Sequence, residues 1–237
     1  MSSSSHRYAV YAAPPLAHPL HDFAARWLGW DPQSGQDYPP PSVPGLSAER
    51  VAALTAEPRR YGFHATLKPP FRLAEGKDET ALQQALADFA AHRSAPPHLA
   101  LQLASLGNFL ALRPAHEAGG GDGELHALAD ACVIAFDEFR AQASDAEIAK
   151  RRAAGLSARQ DDYLLRWGYP YVLEEFRPHF TLTGRITDEA ERAAVLAYLT
   201  NQLLPLLAQP MPLTELCLYR QSGNAQFRIL ARYPLTL

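Results

Sequence analysis

Sulfur-containing residues and long apolar runs are scarce in this chain of 237 residues, and neither sign of charge dominates it. Its two cysteines, Cys132 and Cys217, lie far apart in apolar surroundings, which favours two buried thiols over a disulfide. No run approaches the roughly 20 apolar residues of a membrane span. The first residues also lack the apolar stretch of a signal peptide. We therefore expect a cytoplasmic protein without a membrane partner.

The charge balance limits the partners further. A formal net charge of −3 and a pI of about 6.3 argue against a protein that grips long nucleic acid, because such domains are usually strongly basic. The basic clusters at 59–60 and 150–152 are expected to be solvated charges rather than a binding track. A small phosphorylated substrate fits this balance, since it needs only local positive charge. No obligate protein partner is implied.

What the chain does contain is enough apolar sequence for a sizeable core, together with many loops. Apolar residues make up 47% of it, and its 20 prolines exceed the usual share. One large domain or two lobes that share a core would fit this length. The stretch AGGGDG at 118–123 is typical of a flexible connector. The spacing of apolar residues predicts helices over about 20–28, 47–55, 78–93 and 124–142, and one that begins at 187 or 188.

A weak internal repeat organises the rest of the sequence. Strand-like segments at 61–67 and 179–186 each contain His-x-Thr-Leu, and each is followed by a helix and then by a hairpin with Gly-Asn in its turn. The spacing from motif to turn is nearly the same in both halves (64 to 107 and 179 to 223). The repeat predicts an α+β fold of two β-α-β-β lobes, related by a pseudo-twofold axis, around a central cleft. In this single bilobal domain we expect lobe one at about 47–114, lobe two at about 170–237, and an added strand within 1–14.

Strand geometry puts the histidine and the threonine of each motif on the same face, because side chains alternate with a period of two. His64 with Thr66, and His179 with Thr181, would then face one shared cleft. One neutral and one protonated imidazole can open a phosphodiester as base and acid, since the histidine pKa lies near 6.5. The threonine hydroxyls can donate to phosphate oxygens as negative charge develops. This chemistry requires no metal and no cofactor.

Four other side chains are candidates for substrate binding. Lys68 would share the strand face of Thr66 and neutralise phosphate, or it would be a solvated lysine at the end of the strand. Tyr11 in the first strand would either stack on a base or sugar or pack in the core. Tyr219 and Arg220 precede the last turn and would contribute a substrate contact.

The longer strings around both motifs resemble a known superfamily. RYAVYAAP near the start, RRYGFHATLKPPF around His64 and FRPHFTLTGRI around His179 are similar to the two-histidine phosphoesterases. That superfamily includes 2'-5' RNA ligase-like proteins and cyclic nucleotide phosphodiesterases. Within it, the strings most resemble an uncharacterised family encoded in bacterial phosphonate-utilisation operons, and the resemblance runs from Arg7 to Pro234. It implies a bilobal α+β fold and metal-independent catalysis by both His-x-Thr pairs.

The resemblance also implies a substrate and leaves alternatives open. Phosphonate breakdown by the carbon–phosphorus lyase route yields a 1,2-cyclic phosphate of ribose phosphate, so a small ribose- or nucleotide-derived cyclic phosphate is expected. Processing of RNA 2',3'-cyclic phosphate ends and 2'-5' ligation belong to the same class of chemistry. A non-catalytic nucleotide-binding module and a metal hydrolase are alternatives from other classes. The metal hydrolase is disfavoured, because no carboxylate or cysteine pattern completes a site around the two histidines.

Overall fold

The computed structural model describes residues 6–115 and 122–236. The strands are β1 (His6–Ala12), β2 (Trp30–Asp31), β3 (Gln36–Asp37), β4 (Ala65–Phe71), β5 (Leu101–Leu106), β6 (Phe109–Pro114), β7 (Phe180–Thr181), β8 (Glu215–Ser222) and β9 (Arg228–Pro234). The α-helices are α1 (Pro19–Leu28), α2 (Ala48–Arg59), α3 (Glu79–Ala91), α4 (Asp122–Ala135), α5 (Asp145–Arg152), α6 (Ala158–Trp167) and α7 (Glu189–Leu203). Short 3₁₀ helices cover Asp137–Phe139 and Leu173–Glu175. Most of the predicted connector at 118–123 lies outside the described residues.

The strands form two main antiparallel sheets. One has the order β4-β1-β8-β9 and the other the order β5-β6-β7, while β2 and β3 form a separate short ladder. The predicted α+β class is therefore confirmed, and each main sheet carries one His-x-Thr motif. The two cysteines are buried free thiols, as the sequence predicted.

The two hairpins pair with the motif strands in exchanged order. The hairpin β5-β6, which follows the first motif along the chain, pairs with β7 of the second motif. The C-terminal hairpin β8-β9 joins the other sheet, where β8 pairs with β1 and β1 pairs with β4 of the first motif. The predicted lobe ranges 47–114 and 170–237 therefore do not coincide with the two sheets. Strand partners so distant in sequence are chosen by packing, which local patterns do not encode.

The first motif strand also differs from the segment predicted at 61–67. β4 begins at Ala65 and runs through Pro69 and Pro70, where the sequence predicted that it would end. It is an edge strand, and at an edge the missing N–H of proline can face away from the ladder without cost. His64 therefore lies directly before the ladder, where the chain enters the sheet.

The second motif strand is shorter than the predicted segment 179–186, because β7 has only two residues. Beyond it, the backbone N–H of Leu110 donates to the Thr183 hydroxyl at 2.9 Å instead of to a strand carbonyl. The N–H of Gly184 then donates to the Leu54 carbonyl in α2 at 2.6 Å. A Cβ at Gly184 would lie only 3.3 Å from that carbonyl oxygen, so glycine permits the close approach. The second motif is thereby held against α2.

Aromatic packing joins the two motifs to each other. The rings of Phe63 and Phe180 stack with centroids 5.2 Å apart, and Phe180 is fully buried. Phe63 directly precedes His64, and Phe180 directly follows His179. Both rings belong to one apolar cluster that includes residues of both main sheets. The core therefore fixes the position of one histidine-bearing segment relative to the other.

Candidate active site

The two motifs meet in a single cleft with a volume of about 740 Å³. His64, Thr66, His179 and Thr181 all line it. In the ladders, Thr66 pairs with Tyr11 of β1 and Thr181 pairs with Ala111 of β6. The structure therefore brings together the four side chains that the duplicated pattern predicted to share a cleft.

Each imidazole is held in the same way. His64 Nδ1 lies 2.9 Å from the Gly62 carbonyl oxygen, and His179 Nδ1 lies 2.7 Å from the Arg177 carbonyl oxygen. Because a carbonyl oxygen can only accept, each Nδ1 must carry the proton and donate it. When either ring is neutral, its Nε2 is then left as the acceptor. The Thr66 hydroxyl lies 3.4 Å from His64 Nε2.

His64 packs against a stack of buried tyrosines. The Tyr11 ring lies nearly parallel to the imidazole with centroids 3.7 Å apart, and Tyr219 packs beside this pair, 4.8 Å from Tyr11 and 6.1 Å from His64. Burial lowers the pKa of His64 to about 4, although its hydrogen bond to Gly62 raises that pKa and the charge of His179 lowers it further. His64 is therefore neutral near pH 7. His179 therefore lies close enough for its charge to act on His64.

Tyr11, Tyr219 and Arg220 do not lie where the sequence predicted that they would contact a substrate. Tyr11 lines the cleft, but its ring face lies against His64 rather than being free for a base or sugar. Tyr219 is fully buried beside Tyr11 and does not line the cleft. Arg220 forms an ion pair with Glu79 of α3 at 3.0 Å and also lies outside the cleft. Since neighbours along a strand face opposite sides, Tyr219 and Arg220 could not both point toward one ligand.

Lys68 does not share the strand face of Thr66, in contrast to the prediction. Thr66 pairs with Tyr11 and Lys68 with Val10, so one extra residue of β4 stands between the two pairs. Such a bulge interrupts the alternation of faces. The Lys68 ammonium is buried beside α4, where it donates to the Val133 carbonyl at 2.8 Å. Burial lowers the pKa of Lys68 to about 8, which the Asp137 carboxylate partly opposes. Its position is structural rather than part of the cleft.

Sequence patterns did not identify the basic and aromatic lining of the cleft. These side chains come from distant elements and loops, and 150–152 was expected to be a solvated cluster, so no local signal unites them. The cleft arginines are Arg7, Arg151, Arg177 and Arg185, and the aromatic residues beside the motifs are Tyr61, Phe109, Tyr169, Tyr171 and Phe176. Two carboxylates, Glu57 and Glu175, also line the cleft. The lining is therefore positive on balance, although the chain is acidic.

Residues 6–115 and 122–236 contain neither a metal-binding cluster nor a membrane-spanning helix. No group of three or more His, Cys, Asp and Glu side chains in these ranges is arranged to hold a metal ion. None of the helices described there has the length and apolar composition to cross a membrane.

Comparison with known proteins identifies relatives of the chain. The model of a family described as "Protein of unknown function (DUF1045)" matches residues 66–228. Two curated relatives carry the name ribose 1,5-bisphosphate phosphokinase PhnN. The relative from Janthinobacterium sp. (strain Marseille) is 43% identical over 188 residues, which is 78% of this chain and 40% of that protein. The relative from Laribacter hongkongensis (strain HLHK9) is 39% identical over 224 residues, 94% of this chain and 50% of that protein. The chain thus spans half or less of the length of these relatives.

Two solved structures resemble the chain over most of its length. Escherichia coli LigT, in complex with 3'-AMP, has a TM-score of 0.40 at 12% identity and covers 98% of this chain and 99% of its own. A conserved protein of unknown function from Agrobacterium tumefaciens strain C58 has a TM-score of 0.44 at 12% identity and covers 95% of this chain and 85% of its own. Scores this low assign no function, so the site has to be interpreted from its own residues.

Proposed function

This chain belongs to the DUF1045 family of proteins of unknown function, and we propose from the residues of its cleft that it hydrolyses a small cyclic phosphodiester without a metal. One observation carries the proposal. Both His-x-Thr pairs line the same cleft, and each histidine donates its Nδ1 proton to a carbonyl two residues earlier, so that Nε2 is left for chemistry. Two such imidazoles with two hydroxyls can supply every proton transfer and charge contact that this reaction needs.

In the proposed reaction His64 is the general base. Its Nε2 accepts a proton from water, and the water oxygen attacks phosphorus. Protonated His179 donates its Nε2 proton to the sugar oxygen as the bond from phosphorus to that oxygen breaks. This division of roles follows from the environment, because His64 is kept neutral by burial and a base must start unprotonated. The products are a phosphomonoester and a free hydroxyl.

Thr66 and Thr181 would hold the phosphate during this displacement. Each hydroxyl can donate a hydrogen bond to one non-bridging oxygen, on which negative charge grows in the transition state. Thr66 lies beside His64 Nε2, so its hydroxyl and the base would act at adjacent positions on the phosphate. The positive lining of the cleft favours an anionic substrate before any reaction begins.

A ribose-derived phosphate is the substrate class with the most support. The two curated relatives are named for a kinase that acts on ribose 1,5-bisphosphate. Since the chain matches half or less of each relative, their kinase name does not define the reaction of this chain. The name does associate the relatives of this chain with phosphorylated ribose. This association agrees with a ribose cyclic phosphate as the substrate.

A panel of cyclic phosphates tests the proposed function. We expect the purified protein to open ribose 1,2-cyclic phosphates or nucleoside 2',3'-cyclic phosphates at the same rate with and without a metal chelator. An RNA with a 2',3'-cyclic phosphate end should be included, because the cleft of about 740 Å³ and its aromatic lining could also hold a nucleotide. Loss of activity on chelation would favour a metal hydrolase. Binding without turnover of any compound would favour a nucleotide-binding module.

The pH profile should report the unusual state of His64. Since the pKa of His64 is lowered to about 4 by burial, the base stays unprotonated as the pH falls from 7 to 5. We therefore expect kcat/KM to be limited on the acid side by a midpoint near pH 4, well below the usual histidine value of about 6.5. Steady-state rates in constant-ionic-strength buffers measure this midpoint. An acid midpoint near 6.5 would contradict the assignment of His64 as a buried neutral base.

A further inference from the structure

The four arginines of the cleft differ from a group of eight other arginines in the described residues. Eight arginines there form salt bridges with carboxylates, and none of the eight lines the cleft: Arg26, Arg50, Arg59, Arg72, Arg140, Arg152, Arg220 and Arg232. The four arginines that do line the cleft have no such partner among the residues that the structure describes. In a chain with a net charge of −3, the cleft therefore carries four guanidinium groups without a salt bridge to any described residue, against two lining carboxylates.

Two of these four arginines lie beside the second motif. Arg177 precedes His179 by two residues, and its Nη1 donates to the carbonyls of Glu174 and Phe176 at 2.7 Å each. Arg185 lies 3.1 Å from Asn108 when that amide is oriented with its oxygen toward the guanidinium. Backbone and amide oxygens thus occupy part of the hydrogen-bonding capacity of this pair.

The other two arginines reach the cleft from separate elements and rest on aromatic rings. Arg7 of β1 lies 5.5 Å above the Phe227 ring and donates to the Gln221 side-chain oxygen at 2.8 Å. Arg151 of α5 lies 4.8 Å above the Tyr169 ring. Packing of this kind orients a guanidinium without cancelling its charge. Each can still present N–H donors to an anion.

Arg7 and Tyr169 both line the cleft that also contains Tyr11. Burial raises the pKa of Tyr11 well above its ordinary value, with a further rise from neighbours that include Tyr169 and an opposing effect from Arg7. The Phe227 ring beneath Arg7 lies 6.4 Å from the Tyr11 ring, which stacks on His64. Arg151 contacts the Tyr169 ring, and both of these side chains line the same cleft. Arg7 and Arg151 thus line the same cleft as the proposed base, and they lie outside both His-x-Thr motifs.

We propose that Arg7 and Arg151, with Tyr169, form a second anion subsite that binds a phosphomonoester group carried by the substrate. The inference rests on the proposed function: one phosphate is opened between the histidines, and a second phosphate on the same molecule binds to these two arginines. A phosphomonoester is close to dianionic near neutral pH, and guanidinium groups match its oxygens with paired N–H donors. The preferred substrate is therefore a cyclic phosphate with a separate terminal phosphate.

A pair of substrates that differ in one group tests the subsite. Ribose 1,2-cyclic phosphate and its 5-phosphorylated form are compared by kcat/KM with the unmodified protein, Arg7→Gln and Arg151→Gln. We expect the unmodified protein to prefer the 5-phosphorylated compound by at least about 100-fold, because two charge-assisted contacts contribute to that preference. Each substitution should reduce that preference by roughly 10- to 100-fold, the effect of one charge-assisted contact. Arg152→Gln is the matched control, because it adjoins Arg151 in α5 but pairs with Asp161 at 2.6 Å.

Equilibrium binding separates failure of the subsite from failure of the proposed reaction. If neither compound is hydrolysed, calorimetric dissociation constants of the same pair still measure the preference. A preference that both cleft variants lose, and Arg152→Gln keeps, supports the subsite even without turnover. The inference is overturned if the unmodified protein binds both compounds equally, if Arg7→Gln and Arg151→Gln keep the preference, or if Arg152→Gln loses it to the same degree. Circular dichroism of each variant confirms that the fold is unchanged.

Discussion

His64→Ala and His179→Ala should each lower kcat for a cyclic phosphate by about 10²- to 10⁴-fold, the usual contribution of a positioned acid or base. Both imidazoles line the cleft with Nε2 available, so removal of either one leaves a proton transfer to bulk water. Steady-state kinetics on the best substrate of the panel measure the loss. Thermal unfolding should show that both variants stay folded, because both histidines line the cleft and are only half-buried.

The two histidines can be told apart by the leaving group. A phosphodiester that releases 4-nitrophenolate needs little help from an acid, so His179→Ala should lose much less activity on it than on a sugar phosphate. His64→Ala should lose about the same on both, because the base acts on water in each case. His98→Ala is the matched control, since His98 is exposed and does not line the cleft. Full turnover by either motif variant would refute the two-histidine mechanism.

Phe180→Ala should lower the free energy of unfolding by about 3–5 kcal/mol, the usual cost of removing a buried phenylalanine ring. The Phe180 side chain has 0% exposure and stacks on Phe63, so its loss leaves a cavity between the two motif segments. Activity should fall together with stability, because that contact sets the position of His64 relative to His179. Urea unfolding followed by circular dichroism measures the change in stability.

Leu204→Ala is the control for this comparison, because the Leu204 side chain is 73% exposed. Its effect on the free energy of unfolding should stay within about 0.5 kcal/mol. Phe180→Leu should fall between the two, since it refills part of the cavity. Equal urea midpoints for Phe180→Ala and the unmodified protein would show that the aromatic contact does not hold the motifs together.

Local patterns in the sequence determined the two hairpins and the four motif side chains of the cleft. Both hairpins occur where alternating residues and Gly-Asn turns predicted them, as β5-β6 and β8-β9. The duplicated His-x-Thr pattern also predicted correctly that His64, Thr66, His179 and Thr181 would line one cleft. These features depend on neighbours within a few residues, or on a repeat that the sequence itself displays.

Tertiary structure alone decided three other features, because each depends on contacts between residues distant in sequence. Packing selected the partners of the hairpins, so β5-β6 joined the second motif and β8-β9 the first motif's sheet. A single bulge against β1 turned Lys68 away from Thr66 and buried its ammonium beside α4. Arg7 of β1 and Arg151 of α5 line the same cleft. The alternation of side chains along a strand predicts which residues share a face only where the ladder is regular. It does not predict which distant element will lie opposite that face.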